Sequence, residues 1–343
     1  MSAKKSVLII LTSVVLLLAA FPVRAQADPL RIVTTSTQAG DLAAILTQNV
    51  PESAVEITRL MGPGVDPHLY KPTEADIAAM NRAAMVIYSG LHLEGQFDRV
   101  FEALSERGVV IFSLGEVIKE AGFVINALDE VDVDDPHFWF EPRNWALSAE
   151  GLAAELVRAL PDYADVIAAN AADYVAQLDA LYAWADDAMR RVPEGQRYLV
   201  TSHDAFQYFG QAFGWQMVPI QGISTAAEAG VGDIQSVVDF IVNNDIPVLF
   251  VESSVPPTTI EAVQEAVRAA GGEVALGVRE LYSDAMGDLD TFGGTYIGML
   301  AENVLTILQS YQLAGVDIEI PAFPESITPQ PPQDLLEPVQ AAS

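Results

Sequence analysis

The stretch IAANAADYVAQLDALYAWADDA, residues 167–188, predicts one long helix in the middle of the chain. Its apolar residues recur at intervals of three and four positions, so they share one helix face. They are Ile167, Ala171, Tyr174, Leu178, Leu181, Ala185 and Ala188. Pro161 and Pro193 bound the pattern, and a helix of about 30 residues would be on the order of 45 Å long. This length suits a rigid strut between two lobes, although a long surface helix of one domain has the same periodicity.

Short apolar and β-branched runs alternate with helical patterns on both sides of this stretch. The predicted strands are residues 30–35, 55–60, 85–88 and 109–113 before it, and 198–201, 217–220, 248–251 and 273–276 after it. Such alternation indicates parallel strands joined by helical crossovers. The sequence therefore predicts an α/β fold of two lobes, each with a mostly parallel sheet flanked by helices, joined by one long helix.

The first 27 residues have the layout of a secretory signal peptide. Lys4 and Lys5 precede an apolar run of 16 residues, 6–21, and small residues follow at 25–27. An uncleaved membrane anchor is the alternative, but the run is shorter than the ~20 residues that a spanning helix needs. The predicted divisions are a signal peptide (1–27), a first lobe (28–160), a linking helix (161–192), a second lobe (193–314) and a proline-rich tail (315–343) that we expect to be disordered.

Composition narrows the function classes. The chain has no cysteine, which excludes disulfides, thiolate metal sites, cysteine nucleophiles and a lipidated cysteine anchor. Its formal charge is −30, and residues 1–27 contribute three basic and no acidic residues. A surface this acidic argues against a nucleic-acid partner, because phosphates bind to basic surfaces. Net charge alone does not indicate a metal-binding protein.

Three of the four histidines lie in segments where a parallel sheet presents ligands. His68 and His203 follow predicted strands, His137 lies in DDPHFWFEP, and Asp284 follows the last predicted strand. Ligands of open α/β sheets bind beyond the carboxyl ends of the strands. Three imidazoles and one carboxylate suit zinc, manganese or iron. Taken alone, a loop histidine is more often a surface or capping residue than a metal ligand.

Two further residues are weaker candidates. His92, the fourth histidine, is expected to have a structural role or to contact one of the metal-binding residues. Glu252 in FVESS ends a predicted strand and could orient a histidine through its N–H; a helix cap or a lobe contact is the alternative. The sequence has no HExxH helix and no glycine-rich phosphate loop with lysine.

The chain resembles the zinc- and manganese-binding receptors of ABC importers, the TroA-like family of solute-binding proteins. The matching segments occur in order between residues 30 and 309: GPGVDPHLYKPTEADI, YSGLHLEG, DPHFWFEP, TSHDAFQYFGQAFGW, GISTAAEAG, FVESS, LYSDAMGD and GTYIGML. The resemblance implies two α/β lobes joined by a backbone helix, with a metal buried between them. It also implies that His68, His137, His203 and Asp284 are the metal ligands.

The same resemblance implies an extracytoplasmic, monomeric receptor that delivers zinc or manganese, with iron as a further candidate, to an ABC permease and its ATPase. Many zinc-specific members carry a long histidine-rich loop, whereas residues 127–135 here read ALDEVDVDD. That difference weakens the prediction of a high-affinity zinc receptor and leaves manganese as a candidate metal. Two other functions remain alternatives: a secreted zinc-dependent hydrolase, and a metal-binding surface adhesin.

Overall fold

The computed structural model describes residues 28–126, 133–337 and 339. In the first lobe, strands and helices alternate as the sequence predicts: β1 Leu30–Thr34, α1 Thr37–Leu46, β2 Val55–Arg59, α2 Glu74–Met80, β3 Met85–Tyr88, α3 Asp98–Ser105, β4 Val110–Ser113 and α4 Leu114–Ala121. The four strands form one parallel sheet in the order β2-β1-β3-β4. Helix α5, Pro142–Ala159, packs against α4 and completes this lobe.

Helix α6, Ala164–Met189, is the predicted long helix. It has 26 residues, which corresponds to about 39 Å. It is somewhat shorter than the span between the two prolines, because a 3-10 turn at Pro161–Tyr163 precedes it. It packs against α1 and α5 and against α10 (Tyr296–Leu313). The helix therefore joins the two halves of the protein.

The second lobe repeats the arrangement of the first. Its elements are β5 Tyr198–Thr201, α7 Gln207–Phe213, β6 Gln216–Pro219, α8 Val231–Asn243, β7 Val248–Leu249, α9 Thr258–Ala269, β8 Ala275–Leu276 and α10. The strands again form a parallel sheet, in the order β6-β5-β7-β8. Strands β7 and β8 have two residues each, so the predicted strands 248–251 and 273–276 are too long.

Aromatic side chains connect the long helix with both lobes. The ring of Trp145 on α5 stacks on Tyr296 of α10 with 4.9 Å between centroids. Its indole N–H donates to the hydroxyl of Tyr174 on α6 at 3.0 Å. All three side chains are buried in one core cluster that runs through both lobes. A wide hinge motion would have to separate these contacts.

The proline-rich tail is packed against the rest of the protein, so the expectation of a disordered tail is wrong for residues 315–336. Phe323, Ile327 and Leu335 are buried in the core cluster, the last of them in the short helix α11, Gln333–Leu336. The indole N–H of Trp184 on α6 also donates to the carbonyl of Pro321 at 3.1 Å. These apolar side chains follow no helix or strand period, which is why the composition suggested disorder.

Two predictions lie outside the described residues: the signal peptide at 1–27, and most of the acidic segment that precedes His137. The residue boundaries of the predicted domains stay a prediction. Within 28–126, 133–337 and 339, none of the helices combines the length and the apolar character that a membrane crossing requires.

Candidate metal centre

His68 lies in the long connection between β2 and α2. The tripeptide Asp66-Pro67-His68 forms a tight turn there, in which Oδ1 of Asp66 accepts the backbone N–H of His68 at 2.8 Å. An aspartate that accepts a backbone N–H two residues further on fixes the local chain direction. The turn therefore presents the His68 ring toward the space between the lobes.

His137 lies in a second Asp-Pro-His tripeptide, just before α5. Oδ1 of Asp135 accepts the backbone N–H of His137 at 2.9 Å and lies 2.8 Å from its Nδ1. Both side chains are completely buried. The rings of Phe138, Trp139 and Phe140 follow in a buried 3-10 turn, as wall packing rather than as an exposed stacking surface. Because the carboxylate holds Nδ1, the Nε2 atom of His137 faces the site.

His203 follows the end of β5, and Glu252 follows the end of the neighbouring strand β7. Oε1 of Glu252 accepts the backbone N–H of His203 at 2.9 Å, and its Oε2 lies 2.6 Å from Nδ1. Glu252 therefore has the contacts with His203 that the sequence-based hypothesis of an orienting role requires. Such an outer carboxylate fixes the ring orientation and raises the basicity of the nitrogen that faces a metal.

Asp284 lies in the connection between β8 and α10, but first-lobe residues hold it. Its backbone carbonyl accepts from Nε2 of Gln38 at 3.1 Å. The carbonyl of Ser283 accepts from the Trp139 indole at 3.2 Å, and the N–H of Met286 donates to Oγ1 of Thr37 at 2.9 Å. The carboxylate is thereby fixed against the other lobe.

The fold brings these four side chains together at one point between the lobes. One donor atom from each of His68, His137, His203 and Asp284 lies within 4.8 Å of all the others. Three of the separations are 3.3 Å: between Nε2 of His68 and Nε2 of His137, and from Nε2 of His137 and of His203 to the two oxygens of Asp284. The residues are at most 9% exposed.

The charges around the site favour protonated imidazoles at His137 and His203. Burial would lower the pKa of His137, but its hydrogen bonds with Asp135 and Asp284 outweigh burial and raise the pKa to about 9. Despite the same effect of burial, Glu252 and Asp284 raise the pKa of His203 well above its usual range. Burial lowers the pKa of His68 to about 3, since only Asp284 opposes it.

The short separations in this arrangement are typical of atoms that bind one metal ion. Bonds of about 2.0–2.1 Å place neighbouring donor atoms about 3.3 Å apart at tetrahedral angles, which matches the three separations between the Nε2 atoms and the two oxygens of Asp284. Oδ1 of Asp284 is buried and lies 3.3 Å from Nε2 of His137; when that nitrogen carries no proton, Oδ1 has no hydrogen-bond donor among the described residues. A buried polar atom without a partner is costly, and a cation bound at this point would satisfy it.

The sequence and the fold are similar to those of known metal-binding proteins. The protein family described as zinc-uptake complex component A, periplasmic, matches residues 32–310. The chain belongs to this family. Its relatives include the manganese-binding lipoprotein MntA of Bacillus subtilis, which is 38% identical over 281 residues, covering 82% of this chain and 89% of MntA.

The zinc-binding protein TroA of Treponema pallidum is similar to the same extent, with 38% identity over 284 residues that cover 83% of this chain and 90% of TroA. The solved structure of the periplasmic zinc-binding protein TroA superimposes with a TM-score of 0.77 at 36% identity, covering 83% of this chain and 99% of TroA. The two parallel four-stranded sheets and the long helix are therefore the fold of this family, as the resemblance implied.

The structure also shows which other residues contact the four proposed ligands and which do not. His92 lies away from the cluster: its side chain is 85% exposed, with Nδ1 3.9 Å from Asp98. Asp135 and Asp66 are contacts that sequence reasoning missed. The signal that could have found them is the repeated Asp-Pro-His tripeptide, because an aspartate two positions before a histidine readily accepts its backbone N–H.

Proposed function

We propose that this protein captures one divalent transition metal between its lobes and delivers it to an ABC import permease and its ATPase. The ligands are His68, His137, His203 and Asp284. The observation that carries the proposal is the buried cluster of three imidazole nitrogens and one carboxylate, contributed equally by the two lobes of a fold shared with TroA. The metal is the transported substrate of this protein, and the four side chains bind it.

The cargo is zinc or manganese. Imidazole and carboxylate ligands accept both metals, as well as iron, and intrinsic affinity favours zinc over manganese at almost any such site. Relatives of equal identity carry a zinc name and a manganese name. The physiological metal is therefore set by supply and by the permease as well as by these side chains.

Metal capture is coupled to proton release. In the metal-free site, protons on His137 and His203 offset part of the negative charge of the carboxylates of Asp135, Glu252 and Asp284. An incoming metal must displace these protons, because an imidazole nitrogen binds metal only when deprotonated. The bound ion thus takes the place of the displaced protons, at a point where the surrounding carboxylates favour positive charge.

The extracytoplasmic side of the membrane is the proposed location, since the matching family is described as periplasmic. The zinc-hydrolase alternative has less support, because a catalytic zinc keeps a coordination position for water and typically has three protein ligands. Four protein side chains converge here, so the arrangement favours holding a metal over catalysis.

The binding test is equilibrium dialysis of the metal-free protein against zinc, manganese and ferrous iron. We expect one metal per chain for the wild type. His68→Ala should lose more than roughly 100-fold in affinity, because even outer-shell changes cost about 10- to 100-fold. His92→Asn is the matched control: it removes an exposed histidine at φ 65°, a conformation that asparagine tolerates. Unchanged binding by His68→Ala would refute the ligand set.

The transport test uses the native host. Deleting the gene should lower uptake of the metal that binds in dialysis, and a chromosomal His68→Ala replacement should have the same effect. If His68→Ala cells take up metal normally but lose attachment to surfaces, the adhesin alternative would replace this proposal. Cleavage of generic ester or peptide substrates by the zinc-loaded protein would favour the hydrolase.

A further inference from the structure

The four proposed ligands are not held equally firmly. The rings of His137 and His203 each have a carboxylate within 2.8 Å of Nδ1. The backbone around Asp284 is hydrogen-bonded to Gln38, Thr37 and Trp139 of the first lobe. Three of the four ligands are therefore fixed by several buried contacts.

His68 is the exception. Among the described residues, no carboxylate contacts its ring, and its Nε2 is only placed opposite that of His137 at 3.3 Å. It is also the most exposed of the four ligands, at 9%. Its position depends on the turn made by Asp66, whose Oδ1 accepts the His68 N–H at 2.8 Å.

The second oxygen of Asp66 reaches across to the other lobe. Oδ2 accepts the hydroxyl of Thr225, in the loop between β6 and α8, at 2.6 Å. Within the part of the chain that the structure describes, this is the only hydrogen bond between residues 62–72 and the second lobe. One carboxylate therefore connects the His68 turn on one side with the second lobe on the other.

We propose that the Asp66–Thr225 hydrogen bond is a latch that holds His68 on the metal, and that the metal leaves on the His68 side of the site. This inference rests on the proposed function and specifies its release step. When the hydrogen bond breaks, the His68 turn has no hydrogen bond to the second lobe among the described residues and can move away. His137, His203 and Asp284 keep their own supports, so the metal is left with three ligands beside an opening.

The latch should act mainly on the dissociation rate. Thr225 does not contact the metal-binding atoms, and its hydroxyl acts on the site only through Asp66 and the His68 turn. A hydrogen bond to a charged acceptor typically contributes enough to change an equilibrium roughly 10- to 100-fold. We therefore expect loss of the hydroxyl to speed up metal release about 10-fold, with little effect on the association rate.

The test uses three variants of one loop in the full-length protein. Thr225→Val removes the hydroxyl and keeps the side-chain shape, whereas Thr225→Ser restores the hydroxyl. Ser224→Ala is the matched control: the Ser224 hydroxyl accepts the N–H of Ala226 within the same loop and does not contact Asp66. Zinc-loaded protein is mixed with excess EDTA in a stopped-flow instrument, and release is followed by protein fluorescence or by a zinc indicator.

The latch predicts about 10-fold faster release for Thr225→Val and rates within about 2-fold of wild type for Thr225→Ser and Ser224→Ala. Equal release by Thr225→Val and wild type would overturn it. So would a Thr225→Ser variant as fast as Thr225→Val, because the hydroxyl would then not be the cause. Failure of the wild type to bind metal in dialysis would instead overturn the proposed function, so the two failures are distinguishable.

Discussion

Asp135 contacts His137 twice through one oxygen, which accepts the backbone N–H at 2.9 Å and lies 2.8 Å from Nδ1 of the ring. The corresponding aspartate of the other Asp-Pro-His tripeptide, Asp66, accepts only the backbone N–H of its histidine and uses its second oxygen for Thr225. One local motif therefore does two things. It fixes a buried imidazole in one place, and in the other it links a more exposed imidazole to the opposite lobe.

Asp135→Asn should weaken metal binding roughly 10-fold or more, because losing an outer-shell partner of a metal-binding histidine typically costs about 10- to 100-fold. The asparagine oxygen can still accept the backbone N–H of His137, so the turn is kept while the charge is removed. Competition with a chelator of known affinity measures the effect. Asp134→Asn is the control, since that neighbouring carboxylate pairs with Lys119. Equal loss in both variants would contradict a role specific to Asp135.

Much of the fold could be predicted because its pattern is local. The strands of the first lobe show as apolar runs, and α6 shows as one apolar stripe between polar faces. Helix α10 has no comparable stripe, since nearly all of its residues are buried. A helix covered on every side has no polar face, so its period is invisible in the sequence. The tail was misjudged for a related reason, because its buried residues follow no period at all.

The proposed ligands could be named from the sequence only with the help of the family resemblance. Their partners differ in how visible they are. Glu252 follows a strand next to the one that precedes His203, so sheet geometry indicates their contact. The partner of Asp66 is 159 residues away in the chain. No local pattern distinguishes Asp66 from Asp135, because their different contacts arise only when the two lobes pack together.

Metal affinity should rise with pH between 6 and 8. Ordinary histidines are largely neutral above pH 7, but the pKa of His137 is raised to about 9 and that of His203 is raised well above its usual range. Each proton displaced by the metal changes the dissociation constant by about one power of ten per pH unit. We therefore expect affinity to fall by one to two powers of ten for each unit of acidification.

Chelator competition at pH 6, 7 and 8 measures this slope, and a pH indicator in weak buffer measures the protons released per metal. Both numbers should agree, because linkage requires it. A dissociation constant that is the same at pH 6 and pH 8 would mean that the site carries no protons to displace.

Asp41→Asn should increase the stability of the metal-free protein, relative to wild type, more at neutral pH than at acidic pH. Burial raises the pKa of Asp41 to about 6, partly offset by the N–H of Tyr296 and the charge of Arg59. The unfolded chain has a pKa of about 3.9 there. Between these values the folded state binds more protons, so the wild type is stabilised as pH falls through 6 and carries the cost of a buried charge above it.

The variant lacks this cost, and its amide oxygen can still accept the Tyr296 N–H that Asp41 accepts at 2.9 Å. Relative to wild type, its free energy of unfolding should therefore gain up to about 3 kcal/mol between pH 4 and pH 7. Urea denaturation with EDTA present, at pH 4.5 and 7.5, measures the difference. A pH-independent difference would show that Asp41 titrates normally.

Phe323→Ala should destabilise the protein by about 3 kcal/mol, the usual cost of removing a buried phenylalanine side chain. The ring of Phe323 is 8% exposed and meets the indole of Trp184 on α6 edge to face, with 4.9 Å between centroids. Phe123→Ala is the matched control, because that ring is 56% exposed and its loss should change stability by about 0.5 kcal/mol or less. Urea denaturation of both variants measures the effect, and tryptophan fluorescence should report the change around Trp184. Equal stability of the two variants would mean that the tail does not pack on α6 in solution, and that the disorder expected from its proline content is correct after all.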